Sequence, residues 1–347
     1  MSSATSNSVA TSANRVTLRK TLVSCAVLAI AVLLAIVLTS LVGSERLPAR
    51  ASLCAIASLG TRACGLGRDQ FDILFQIRLP RILLAAAVGG SLATAGAGYQ
   101  ALLRNPLAEP YLLGISNGAA VGTMVALIFF GSNEWTRPLL AFSGALIATL
   151  TVYRLARGRA GTTPERLILA GVIVTTFLSS VIVFVTTLMD ATRIRSFTFW
   201  LLGDLSGTSK SLLPVAITIA IVGALALTLN ARSLNLLMLG ERDAFDLGVE
   251  VGRVRVIVFV VASLLVGSSV AASGSVGYVG LVVPHLVRLS LGGDNRISIP
   301  AATLGGALFV IVADTVARTI IAPRELPVGA ITALIGAPLF IYLLRRA

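Results

Sequence analysis

The sequence holds a single histidine and only three cysteines in 347 residues. With His285 alone, neither an HExxH zinc site nor a Ser-His-Asp triad can be assembled. Cys25, Cys54 and Cys64 fit no metal spacing, and only Cys54 and Cys64 share a predicted external loop, where a disulfide is chemically permissible. No GxxxxGK[ST] phosphate loop occurs. The segment Gly207-Thr208-Ser209-Lys210 lacks the required Gly-Lys pair, so any ATP-driven role needs a partner to hydrolyse the nucleotide. Charge is scarce as well: 12% of residues are charged against 56% hydrophobic, and the mean hydropathy of +0.92 lies far from that of a soluble domain. Paired acids, or a nucleophile beside a base, do not occur inside the apolar runs, which argues against a membrane-embedded enzyme.

What the sequence has in abundance is apolar length. A bilayer core about 30 Å thick takes roughly 20 apolar residues per helix, and such runs recur near 21–42, 82–103, 111–130, 138–156, 167–189, 211–229, 254–272, 276–291, 299–321 and 328–344. The chain is therefore read as all-α and polytopic with about ten transmembrane helices, nine if the short run at 276–291 does not cross. That run carries Pro284 and His285 and reads as a broken or tilted helix enclosed by its neighbours. Residues 1–17 read as a disordered polar tail and 18–347 as one transmembrane domain; the first apolar run is too long for a secretory signal.

Basic clusters set the orientation. Arg15, Arg19 and Lys20 precede the first run, Arg345 and Arg346 follow the last, and Arg154, Arg157, Arg159 and Arg166 lie between the fourth and fifth, so both termini are expected in the cytoplasm. The net charge of +13 is spread over these flanks and suits lipid headgroups, not nucleic acid.

Local features go further than hydropathy. Arg104-Asn105-Pro106-Leu107-Ala108-Glu109-Pro110 is a rigid turn in which Asn105 and Glu109 are placed to satisfy free backbone groups. In the polar interval that includes residues 230–253, apolar positions 244, 245, 247 and 249 alternate with charges at 241, 242, 243, 246 and 250. This predicts one or two short amphipathic helices outside the membrane, packed on the lipid interface or, as the acidic residues favour, on a protein partner. The stretch Gly274-Ser275-Val276-Gly277-Tyr278-Val279-Gly280 allows close helix approach or a local break.

Together with Arg78-Leu79-Pro80-Arg81, Leu113-Gly114-Ile115-Ser116-Asn117-Gly118, the Gly280 to Arg288 stretch and Glu325-Leu326-Pro327-Val328-Gly329, these features stand in the order found in one family. Over residues 65–347 the chain resembles the FecCD-type permeases, which import iron-siderophore complexes, haem and cobalamin. The resemblance implies a FecCD/cobalamin-permease-like bundle in the cell inner membrane. It implies a homodimer enclosing the pathway, with two cytoplasmic ABC ATPase subunits, a periplasmic binding protein, and no cofactor or metal. It maps ATPase coupling onto Leu239, Gly240, Glu241, Arg242, Asp243, Ala244, Phe245, Asp246, Leu247 and Gly248, and binding-protein docking onto Arg78, Arg81 and Arg318 as exposed charge pairs. Arg318 has a second reading, because Asp314 lies one helical turn earlier. Gly161, Thr162 and Thr163 resemble the cytoplasmic gate, and the fifth and tenth runs, almost free of ionisable residues, would line the cavity. The alternative, an ion-coupled secondary transporter, has Asp314 as its only serious candidate for the coupling acid.

Overall fold

The structure, a computed structural model, describes residues 18–43, 45, 47–58, 65–130, 135–158, 162–207 and 211–345. The expected tail 1–17, Cys64 and the gate residue Gly161 lie outside the described residues. The regular structure is α-helical. Ten helices stand at the ten predicted runs: α1 (Leu18–Leu41), α4 (Leu79–Leu102), α5 (Ile115–Phe129), α6 (Thr136–Ala156), α7 (Pro164–Thr186), α9 (Leu212–Leu229), α12 (Val251–Ser273), α13 (Val279–Leu291), α14 (Asn295–Thr319) and α15 (Val328–Leu344). Among the described residues, seven segments are long and apolar enough to span a bilayer, and α5, α13 and α15 are shorter apolar helices.

Between them lie elements that hydropathy does not reveal: α2 (Ala49–Ala57), α3 (Arg68–Asp72), α8 (Ala191–Leu201), α10 (Ala231–Leu239) and α11 (Glu241–Asp246). A π-helical segment, Ile73–Arg78, joins α3 to α4, so that 68–102 is continuous helix. Following the orientation expected from the basic flanks, the end of the bundle carrying Arg81 is called outer and the end carrying Arg255 cytoplasmic.

The core forms around α4 because its inner faces carry Gly, Ala, Ser and Thr, which let backbones approach where lipid offers no hydrophobic driving force. A Cβ on Gly89 would sit 2.1 Å from the carbonyl oxygen of Gly306 in α14, and one on Gly306 2.3 Å from that of Gly89. The α4–α14 crossing is thus made of two glycines face to face. Five residues along, the Thr94 and Thr303 hydroxyls hydrogen-bond at 2.6 Å. By contrast α1, α7 and α9 leave most of their apolar surface open.

The weak run at 276–291 is not broken at Pro284, which lies inside the continuous helix α13; the run is instead shortened at its start. Helix α13 has 13 residues, only about 20 Å of rise, and it follows an irregular segment, 274–278, whose backbone is satisfied by side chains. Tyr111 Oη donates to the Val276 carbonyl and accepts from its N–H, both at 3.0 Å. The Tyr278 N–H donates to Glu109 Oε1 at 3.3 Å, and Tyr278 itself takes φ 66°. Irregular backbone among spanning helices is tolerated only where such partners exist. Glu109 and Asn105, whose Oδ1 accepts from the Leu107 N–H at 2.9 Å, therefore do what their position in the turn predicts. At the outer end, the segment just after α8 is fixed to α12 and α15: the Asp204 N–H donates to the Ser273 carbonyl at 2.8 Å and the Val328 N–H to the Gly203 carbonyl at 3.1 Å.

Candidate functional site

Three regions of the bundle hold the residues singled out in the sequence. At the outer end, Arg78 and Arg81 lie at the start of α4, while Asp314 and Arg318 lie in the last two turns of α14. The structure brings all three arginines together but corrects their setting. They are buried, at 4%, 8% and 7% exposure, and are not the exposed charges expected. Arg81 donates from Nε and Nη2 to the Asp314 carboxylate at 2.9–3.1 Å and from Nη1 to Glu325 Oε2 at 2.7 Å. Arg78 donates to the Ser40 carbonyl at 3.0 Å and also to that of Glu45.

Arg318 donates from Nη2 to the Thr39 carbonyl at 3.0 Å. Its Nε stands 3.6 Å from Asp314 Oδ2, beyond hydrogen-bond reach, and is left without a partner. So the helical-turn neighbour is close, yet Asp314 is held chiefly by Arg81. The three guanidinium groups, with Glu45 and Glu325, line a crevice of about 210 Å³.

Also at the outer end, α8 buries Phe197 and Trp200 and exposes its arginines. Arg193 pairs with Asp190 at 3.2 Å; Arg195 stands 5.9 Å from the Phe199 ring centroid.

At the cytoplasmic end the polar interval forms the two short helices it predicts, α10 and α11, separated by Gly240 at φ 143°. Helix α10 is fastened to the α13–α14 junction through Asn235. Its Nδ2 donates to Asp294 Oδ1 at 2.7 Å, and its Oδ1 accepts from the Asn295 N–H at 2.8 Å. Arg296 holds the Asp294 carboxyl down to about 2, and the same Asp294 caps α14 by accepting from the Arg296 N–H. Beyond Gly240 only Ala244 is buried in α11. Leu239, Phe245 and Leu247 present an apolar surface at 66%, 70% and 61% exposure, flanked by exposed Arg242, Asp243, Asp246 and Gly248.

Thr162 and Thr163 lead into α7. Thr163 is its N-cap, accepting from the Arg166 N–H at 3.4 Å, and Thr162 is buried. Helix α7 carries no ionisable side chain after its first turn, and Leu169, Ile173, Phe177 and Phe184 stand exposed along it. Its Thr176 and Ser180 hydroxyls donate to carbonyls of their own helix.

The profile of the FecCD transport family matches residues 28–346. The chain belongs to this family. A cobalamin import system permease protein of Halobacterium salinarum is 44% identical over 273 residues, 79% of this chain and 73% of that protein. A hemin transport system permease of Yersinia pestis is 41% identical over 286 residues, 80% of this chain and 84% of that protein. A solved metal-chelate type ABC transporter in an inward-facing conformation superposes with a TM-score of 0.81 at 29% identity, covering 94% of this chain and all of that one. This FecCD chain is thus the multi-pass membrane permease of an ABC importer.

For this FecCD permease, the sequence singled out Arg78, Arg81 and Arg318, the interval 239–248 and the threonines before α7. It missed Glu325 and Arg255, which join them to the rest of the fold. Arg255, buried at the start of α12, donates to the Thr162 carbonyl and to Glu241. Asp314, the acid singled out for an ion-coupled carrier, is held by Arg81 at the outer end of α14.

Proposed function

We propose that two copies of this chain form the pathway of an importer in the cell inner membrane. Both termini are cytoplasmic, two ABC ATPase subunits dock beneath, and a periplasmic binding protein delivers a metal-centred cargo of the cobalamin, haem or ferric-siderophore class. The observation that carries this reading is the surface of α10–α11. Three large apolar side chains, Leu239, Phe245 and Leu247, stand exposed outside the spanning helices among charges of both signs. Such a patch is stable in a cell when a partner covers it, and acidic residues beside it disfavour anionic lipid. The segment from Leu239 to Gly248 is the ATPase-coupling surface. Thr162 and Thr163, with Gly161, form the cytoplasmic gate.

On the outer side the crevice lined by Arg78, Arg81 and Arg318 is the surface on which the binding protein docks. The largely apolar face of α7, with α15, lines the pathway and holds cargo weakly, as a conduit must. The relatives named as cobalamin and hemin permeases support the cargo class. The subunit itself hydrolyses nothing and works without a cofactor.

The test is uptake into proteoliposomes containing the chain with its co-purifying ATPase, supplied with binding protein and, in turn, cyanocobalamin, haemin and a ferric trihydroxamate. Uptake requiring both ATP and binding protein is expected for one of the three. Uptake that follows a proton gradient without ATP would overturn the proposal.

A further inference from the structure

The gate loop and the coupling segment are far apart in sequence, yet one side chain touches both. Arg255 lies one turn into α12 and is 8% exposed. Its Nη1 donates to the main-chain carbonyl of Thr162, with the Thr162 Oγ1 3.5 Å away, and its Nη2 donates to the carboxylate of Glu241, the first residue of α11. A guanidinium is a planar fork whose two ends are held at fixed separation, so a carbonyl and a carboxylate gripped by the same fork move together.

The surroundings favour transmission over simple packing. Helix α10 is fastened through Asn235 to Asp294 and Asn295, so it moves with α13 and α14. Helix α11 begins after Gly240, whose φ of 143° is open to glycine alone, and it buries only Ala244. Of its ionisable side chains, Arg242, Asp243 and Asp246 are exposed, leaving Glu241 as its polar hold on the bundle. Thr162 in turn is followed by the Thr163 cap of α7. The chain of contacts therefore runs from the partner-facing helix α11 through Glu241, Arg255 and the Thr162 carbonyl to the N-terminus of α7.

We propose that Arg255 is the positioning residue that couples α11 to the gate: displacement of α11 by the ATPase pulls Glu241, and Arg255 carries that displacement to the Thr162 loop. The inference rests on the coupling and gate assignments proposed above. It predicts that loss of Arg255 leaves nucleotide hydrolysis running but disconnected from transport.

The complete importer in proteoliposomes, with ATP hydrolysis and cargo uptake measured in the same sample, tests this. In Arg255→Met, hydrolysis is expected to stay within about twofold of the parent while uptake per ATP falls on the order of tenfold; Arg255→Lys, which keeps the charge without the fork, falls between. A cargo-free readout runs beside it. The labelling rate of Glu165→Cys, exposed at the start of α7, in a background with Cys25, Cys54 and Cys64 changed to serine, is expected to change with nucleotide in the parent and to lose that response in Arg255→Met.

Unchanged uptake per ATP and unchanged labelling in Arg255→Met overturn the link, as does a loss of uptake that merely tracks loss of hydrolysis. If Arg255→Met does not assemble, Arg255→Lys decides alone, because it keeps the buried positive charge and removes only the fork. A parent importer with no ATP-driven uptake of any of the three cargoes overturns the transport reading itself, a result the variant ratios do not mimic.

Discussion

Arg81 grips Asp314 from two of its nitrogens at 2.9–3.1 Å, across 233 residues of sequence, and so ties the outer end of α4 to that of α14. The same two helices are pressed together in mid-span by Gly89 and Gly306. Small residues bring the backbones close; the ion pair fixes their register.

Replacing one member of that pair exposes its worth. Asp314→Asn leaves Arg81 and Arg318 buried without their counter-charge and is expected to cost about 3–5 kcal/mol. Thermal unfolding of the detergent-purified subunit measures it. A midpoint unchanged from the parent would show that Glu325 alone suffices for Arg81.

At the glycine crossing, Gly89→Ala and Gly306→Ala each push a methyl into the facing carbonyl. Each is expected to destabilise by about 1–3 kcal/mol. Since both relieve or strain one contact, the double variant should cost clearly less than the sum of the two, which the same unfolding assay reads directly.

Phe245→Asp acts on an exposed side chain and should change the subunit's own stability by less than about 0.5 kcal/mol. Co-purification with the ATPase is expected to weaken by about 2 kcal/mol, the scale of an interfacial aromatic anchor. Retention of the ATPase at parental affinity would move the docking surface elsewhere.

Acid should act through Asp294. Arg296 holds its folded-state pKa down to about 2, below the unfolded value of about 3.9, so the native state favours the charged carboxylate. Its contribution is fully present above about pH 4 and is lost as pH falls from there toward 2. The group is partly exposed, so solvent screening keeps the effect small. Asp294→Asn should be less stable than the parent at neutral pH and show a flatter stability profile in that window. Parallel profiles would remove Asp294 from the junction's energetics.

Several sites were legible in the residues because they depend on local order. The turn at 104–110 announces itself through its prolines and through Asn105 and Glu109, and the alternation from 241 to 250 marks α11. Other features were not legible for equally physical reasons. Arg78, Arg81 and Arg318 read as exposed because a basic residue at a helix end normally snorkels to water; their burial depends on Asp314, Glu325 and backbone carbonyls from α1 converging on one crevice. Arg255 reads as one more basic residue in a cytoplasmic flank, and nothing near it in sequence hints at Thr162. Helix α8 escaped because its apolar face, Phe197 and Trp200, is too short to register as a run.

Sequence alone determined that this chain enters a membrane, roughly where its ten apolar helices lie, and which family it joins. A bilayer imposes its demands along one dimension, as lengths of apolar residues and flanks of charge. Only the tertiary structure decided which arginine meets which acid, how the broken segment before α13 satisfies its backbone, and that a single guanidinium bridges α11 and the Thr162 loop. Those are matters of packing in three dimensions, where partners 93 or 233 residues apart are neighbours for reasons no periodicity encodes.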